Sequence, residues 1–147
     1  KVKRYYGIRD RQFMNLFREA TAATGATGVN LLGLLERRLD NAVYKLGFAA
    51  SRPAARQAVA HGHIQINGRK CDIASYRVKI GDKLTVKNSE RSQKLVRTQL
   101  EELGEPRLQN WLKLDMSKLE GEIVALPTRE DVILPVAEQL IVEFCSR

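Results

Sequence analysis

Cysteine is nearly absent from this chain of 147 residues, with Cys71 and Cys145 far apart and outside any CxxC pattern. Two such residues predict free thiols in an intracellular protein and argue against a disulfide framework or a cysteine-built metal site. No apolar run approaches the length of a bilayer span, so a soluble globular protein without a membrane partner is expected. Nor is a signal peptide read, because the basic residues 1–11 lead into a polar helix and not an apolar stretch. The first residue is not Met, which leaves room for an upstream segment. Acidic residues are scarce over most of the length. Residues 1–99 carry 20 Lys+Arg and 7 Asp+Glu, a balance of +13, whereas residues 100–147 carry 5 and 10, a balance of −5. A positive field of that size predicts a polyanionic partner. Nucleic acid is favoured over a membrane surface, since no helix joins a Lys/Arg face to a bulky apolar one.

The length suits one domain or two small interleaved ones. Lys1, Lys3 and Arg4 interleave with Tyr5 and Tyr6, so cations could meet phosphates while a ring stacks on a base or packs on the next helix. That helix starts near Asp10, with Phe13, Leu16, Phe17 and Ala20 as its seam and Arg9, Arg11 and Arg18 left outward. Asn30 is read as the N-cap of one long helix over 31–47, seamed by Leu32, Leu35, Leu39, Ala42, Val43 and Leu46 and stopped by Gly47. Arg37, Arg38, Asn41 and Lys45 lie off that seam.

The most informative stretch is 51–70. Ser51 caps a short helix with Arg52 and Pro53 in its first turn, Ala55, Ala58 and Val59 inward, and Gly62 at its end. Arg52 and Arg56 share one face about one turn apart, ~5–6 Å, similar to the step between successive phosphates. From His63 the period becomes two, with Ile64 and Ile66 on one face and His63, Gln65 and Asn67 on the other. Asn67-Gly68 predicts a type I′ hairpin returning through Arg69, Lys70 and Cys71. Beyond it, Ser75 to Val78 reads as extended, residues 83–87 as a strand, and Ser89 as the cap of a helix ending at Gly104. Trp111 and Leu112 read as a core anchor, residues 119–126 as a helix end followed by a strand, and Pro135 as the start of a final helix. The fold class is α+β, helices at both chain ends around a small antiparallel sheet.

Catalytic signals are weak. His61 and His63 form an HxH pair without further ligands, so phosphate or 2′-OH contact is preferred to a metal, and neither metal nor cofactor is expected. Arg38-Leu39-Asp40 resembles the short motif around the catalytic aspartate of one group of pseudouridine synthases. Asp40 could equally pair with a neighbouring arginine, and the chain is too short for that catalytic domain. No Gly-rich phosphate loop and no nucleophile–base set is present.

Several stretches together resemble a known family. They are Leu34-Leu35-Glu36-Arg37-Arg38-Leu39-Asp40-Asn41, Tyr44-Lys45-Leu46-Gly47-Phe48-Ala49, Ala55-Arg56-Gln57, His61-Gly62-His63-Ile64 and Asn67-Gly68. With Arg4-Tyr5-Tyr6-Gly7 at the start and Glu138-Gln139-Leu140-Ile141-Val142-Glu143-Phe144 at the end, they look like the S four family of bacterial-type small-subunit ribosomal proteins. The resemblance implies a helical domain of residues 1–36 and 128–147 with an inserted S four-type RNA-binding domain over 37–127. It further implies binding to small-subunit ribosomal RNA at a multi-helix junction of the 5′ domain, nucleation of subunit assembly, and a place near the mRNA entry path. Neighbouring proteins (S five, and the S three side of that entry) and mRNA are the implied partners. A cytoplasmic ribosome is the implied location, with an organellar one left open. Carried over by motif, RNA contact falls on Arg4, Arg38, Arg52, Arg56, Gln57, His61, His63 and Tyr76. Lys1, Lys3, Tyr6, Arg11, Arg37, Arg69 and Lys70 join them as candidates by position and charge. Ala74 and Ile80 stand where the family commonly has proline, Cys145 stands for a usual tyrosine, and the family's N-terminal segment is not seen. An RNA-modifying enzyme and a free-standing stress factor carrying the same module are the competing readings. The first needs a further catalytic domain, and the second is expected to close on a basic tail where this chain is acidic.

Overall fold

The computed structural model describes residues 6–104 and 108–128. The expected Lys1-to-Arg4 arm and the final helix opened by Pro135 lie outside these residues. The chain divides into two compact units, Lys1–Glu36 with Pro127–Arg147, and Arg37–Leu126.

In the first unit, α1 (Asp10–Ala22) and α2 (Thr27–Glu36) pack on each other. Phe13 and Ala20 from α1 and Leu31, Leu32 and Leu35 from α2 share a core with Tyr6 and Ile8. Arg9, Arg11 and Arg18 are exposed, as the helical period of α1 predicts. Asn30 is not an N-cap. It sits inside α2, and its amide donates to the carbonyls of Ala20 (3.2 Å) and Thr24 (3.3 Å), tying the end of α1 to α2.

The second unit holds α3 (Leu39–Lys45), α4 (Arg52–Ala60), β1 (Ile64–Ile66), β2 (Arg69–Lys70), β3 (Lys83–Val86), α5 (Glu90–Leu103), β4 (Leu112–Asp115) and β5 (Glu120–Ile123). Its five strands form an antiparallel sheet in the order β2-β1-β3-β5-β4. Ile64, Ile66, Leu84, Val86 and Ile123 are buried in alternation along three strands. They share one core with Leu39 and Val43 of α3, Leu46 at its C-cap, Ala55 and Val59 of α4, Val96 of α5, and Trp111. Burying such large aliphatic side chains stabilises by about 1.5–3 kcal/mol each, the main favourable term here. One close approach fixes α3 over the sheet: a Cβ at Gly121 would overlap the Leu46 side chain.

The long helix expected over 31–47 is two helices. Leu35 and Leu39 keep helical spacing, so periodicity does not register the break. The backbone does. Arg38 is extended (φ −65°, ψ 143°) and pairs in an isolated bridge with Arg77. Val78 N–H donates to the Arg37 carbonyl at 2.9 Å, and Leu39 N–H to the Tyr76 carbonyl at 2.8 Å. Tertiary pairing thus takes the hydrogen bonds that a continuous helix would have made internally. Of the expected extended run 75–78, only this bridge forms. The helix end expected near residue 119 is absent: Leu119 lies in a turn (φ 53°) between β4, which the periodicity missed, and β5.

Candidate nucleic-acid interface

Ser51 caps α4 by accepting from Ala54 N–H (3.2 Å), and Pro53 sits in the first turn where its missing donor costs nothing. This places Arg52 and Arg56 one turn apart, and α3 holds each of them. An Arg52 Nη donates to Asn41 Oδ1 at 2.9 Å, and the guanidinium lies 4.6 Å from the Tyr44 ring centroid, a cation–π contact. Arg56 Nε lies 3.7 Å from Asp40 Oδ2, with its side chain 41% exposed. Asp40 also receives Arg38 Nε and Nη, each at 3.1 Å, and its own neighbour's N–H from Asn41 at 2.8 Å. A carboxylate in the first turn of α3 also meets the positive end of the helix dipole.

Asp40 is therefore a clamp between two arginines, only 2% exposed. Arg38, read as an RNA contact, is 6% exposed, and its fork faces the Asp40 carboxylate. Tyr6, also read as an RNA contact, has its ring buried at 1% exposure in the core of the first unit, and its hydroxyl donates to the Glu36 carboxylate.

The hairpin forms the second part of the site. Asn67 (φ 52°) and Gly68 (φ 83°) both have positive φ, as a type I′ turn requires. Asn67 is pinned on both sides, donating to Asp82 Oδ1 (3.0 Å) and accepting from Lys83 N–H (2.9 Å). Asp82 in turn accepts from Lys79 N–H (2.9 Å) and from the Tyr76 hydroxyl (3.3 Å). Burial, then the Asp82 charge, raises the Tyr76 hydroxyl above its ordinary pKa, so it stays a proton donor. Arg69 and Lys70 on β2 are exposed, as are Gln57 and His61.

Between helix and hairpin lies His63, half-buried, its Nδ1 2.7 Å from Ser92 Oγ. Its pKa is lowered, first by burial and then by the neighbouring His61, Arg91 and Lys87. Lys87 and Arg91, both exposed, were missed in the sequence reading. The signal was available: they straddle the Ser89 cap at an i, i+4 interval, so the chain reversal into α5 gathers them. Arg37 is half-buried, with Nε donating to the Val78 carbonyl at 3.1 Å. Arg11 belongs to the other unit, and Lys1, Lys3 and Arg4 lie outside the described residues. Among the described residues no group of three or more His, Cys, Asp or Glu could hold a metal ion, and no helix is long and apolar enough to cross a membrane.

A helix pair and a hairpin-bearing antiparallel sheet with this basic rim define a module of the S4 domain type. Residues 37–84 match the family model described as the S4 domain, and residues 1–36 match that of the ribosomal protein S4/S9 N-terminal domain. All 147 residues align at 52% identity with the small ribosomal subunit protein uS4 of Thermus thermophilus and at 52% with that of Thermoanaerobacter pseudethanolicus, covering 70% of each. The uS4 protein of Chloroflexus aurantiacus is 49% identical, with 72% of its length covered. The chain belongs to the bacterial uS4 family of small-subunit ribosomal proteins, a family of structural proteins and not of enzymes.

Proposed function

We propose that this protein is a structural constituent of the small ribosomal subunit that binds small-subunit ribosomal RNA through the 37–127 domain, which is inserted in the sequence of a helical domain of residues 1–36 and 128–147. The finer reading is that it grips a multi-helix junction of the 5′ domain, nucleates assembly there and lies near the mRNA entry path, in the cytoplasm. Neighbouring ribosomal proteins, S five and those on the S three side, would then share its border. The observation that carries this reading is the arginine pair of α4, held by Asn41, Tyr44 and Asp40 at a phosphate-like interval. Guanidinium groups already oriented lose less side-chain freedom on meeting phosphates. Arg52, Arg56, Gln57, His61, His63, Arg69 and Lys70 form the contact set, with Lys87 and Arg91 added; Arg37 and Tyr76 border it. On this reading Asp40 is structural, because two arginines occupy the carboxylate that a pseudouridine synthase would keep for its substrate.

Hydroxyl-radical footprinting on small-subunit rRNA tests the site. Protection confined to one multi-helix junction is expected, and diffuse protection would refute it. Affinity should fall steeply with salt, and the double variant Arg52→Ala with Arg56→Ala should reduce the log–log salt slope by about two, one per phosphate contact. An unchanged slope would remove both arginines from the contact set.

A further inference from the structure

Resting on the RNA-binding reading, we propose that Ser92 fixes His63 as an Nε2–H tautomer, which makes the imidazole a neutral hydrogen-bond donor to an RNA backbone oxygen, with Lys87 and Arg91 supplying the adjoining phosphate contacts.

Two separate stretches of the sequence meet at one hydroxyl. Lys87 N–H donates to the His63 carbonyl at 2.7 Å, which brings the approach to α5 against the start of β1. Ser89 then caps α5, its Oγ accepting from Ser92 N–H at 3.2 Å. Its own proton goes to Ser92 Oγ at 2.9 Å. Ser92 is 2% exposed, and its hydroxyl has a single proton to give. With Ser89 donating to that oxygen, the Ser92 proton remains available to His63 Nδ1 at 2.7 Å, and this is the polarity assigned. Nδ1 is then the lone-pair nitrogen, and the ring proton sits on Nε2.

The other half of the argument is charge. Burial, and then the electrostatic influence of His61, Arg91 and Lys87, disfavour the imidazolium, so the ring near neutral pH is uncharged and its tautomer decides what it can do. Among the described residues Nε2 has no partner, and the ring is half-exposed. A neutral N–H beside two exposed cations suits a ribose–phosphate backbone. The cations take the charged oxygens, and the imidazole takes an oxygen at a set position. The HxH pair is thereby divided in role, with only His63 held in place.

The test has two parts. Long-range nitrogen–proton NMR spectra of the free, full chain report the histidine tautomer directly. The wild type is expected to show protonated Nε2 and bare Nδ1 for His63, and Ser92→Ala to relax this toward a tautomer mixture. A wild-type ring protonated on Nδ1 would overturn the proposal, whatever the variants do. Binding to small-subunit rRNA is the second part. A glutamine amide reaches roughly where Nε2 lies and an asparagine amide only where Nδ1 lies. His63→Gln should therefore bind roughly 2- to 10-fold more tightly than His63→Asn, the range of one neutral hydrogen bond. Neither should alter the salt slope, whereas Lys87→Ala and Arg91→Ala should each lower it by about one. Equal binding by the glutamine and asparagine variants, or a slope reduced by His63→Asn, would overturn this inference alone. Absence of rRNA binding by the wild type would instead overturn the reading beneath it.

Discussion

The two cationic edges of the second unit are built in opposite ways. On the helix side, Arg52 and Arg56 are fastened by Asn41, Tyr44 and Asp40, and Arg38 is buried to complete the clamp. On the hairpin side, Arg69 and Lys70 form a two-residue strand with both side chains exposed, and the order lies in the turn beneath them, where Asn67 is tied to Asp82 and Lys83. One edge orders its charges through side chains. The other orders the backbone and leaves its charges loose. Stability and binding should therefore be coupled at the first edge and separable at the second.

The clamp gives the largest effect. Asp40→Ala leaves the Arg38 guanidinium buried without its carboxylate, which should cost about 3–5 kcal/mol of folding stability. Denaturant unfolding of the full chain measures it. A loss under about 1 kcal/mol, the range of surface pairs, would mean the cluster is solvent-screened and the contrast between the edges false. At the hairpin, the comparable break is made in the backbone. Gly68→Val forces a β-branched residue to adopt φ 83°, and should cost roughly 1–3 kcal/mol by the same measurement. Unaltered stability would show that the turn is not needed to hold the hairpin.

How far the sequence exposed this contrast follows from the kind of signal each edge emits. The hairpin is a local object. Asn67-Gly68 names its turn, alternation names its buried face, and both appear as read. Ser51 and Ser89 were likewise legible as caps, because a cap and the donor it satisfies lie within three residues. The α3–α4 clamp is local only in part. Arg52 and Arg56 share a face by spacing, but their partners lie eight to sixteen residues upstream, in a helix that starts just after a break that leaves the leucine period intact. That break depends on residues 76–78, about forty positions away, a pairing that no periodicity contains. The burial of Arg38 and Tyr6 was hidden for a related reason. A charged or aromatic residue beside a basic cluster looks exposed until the carboxylate that buries it, Asp40 or Glu36, is located. Trp111 was readable as core from its type alone, whereas β4 following it carries only weak alternation and was missed.

The smallest effect on stability is the most discriminating. Replacing Arg69 and Lys70 together by alanine removes two exposed side chains. Folding stability should stay within about 0.5 kcal/mol of the wild type, as for ordinary surface substitutions. The salt dependence of rRNA binding should nevertheless flatten by about two, matching the Arg52 and Arg56 double variant. That variant should also lose measurable stability, since it removes the Asn41 hydrogen bond and the Tyr44 contact. Equal slopes with unequal stability costs would mean that the two edges contribute the same number of phosphate contacts from different degrees of preorganisation. If the hairpin variant binds with an unchanged slope, its cations serve solubility, and the ordered helix edge carries the electrostatic part of recognition by itself.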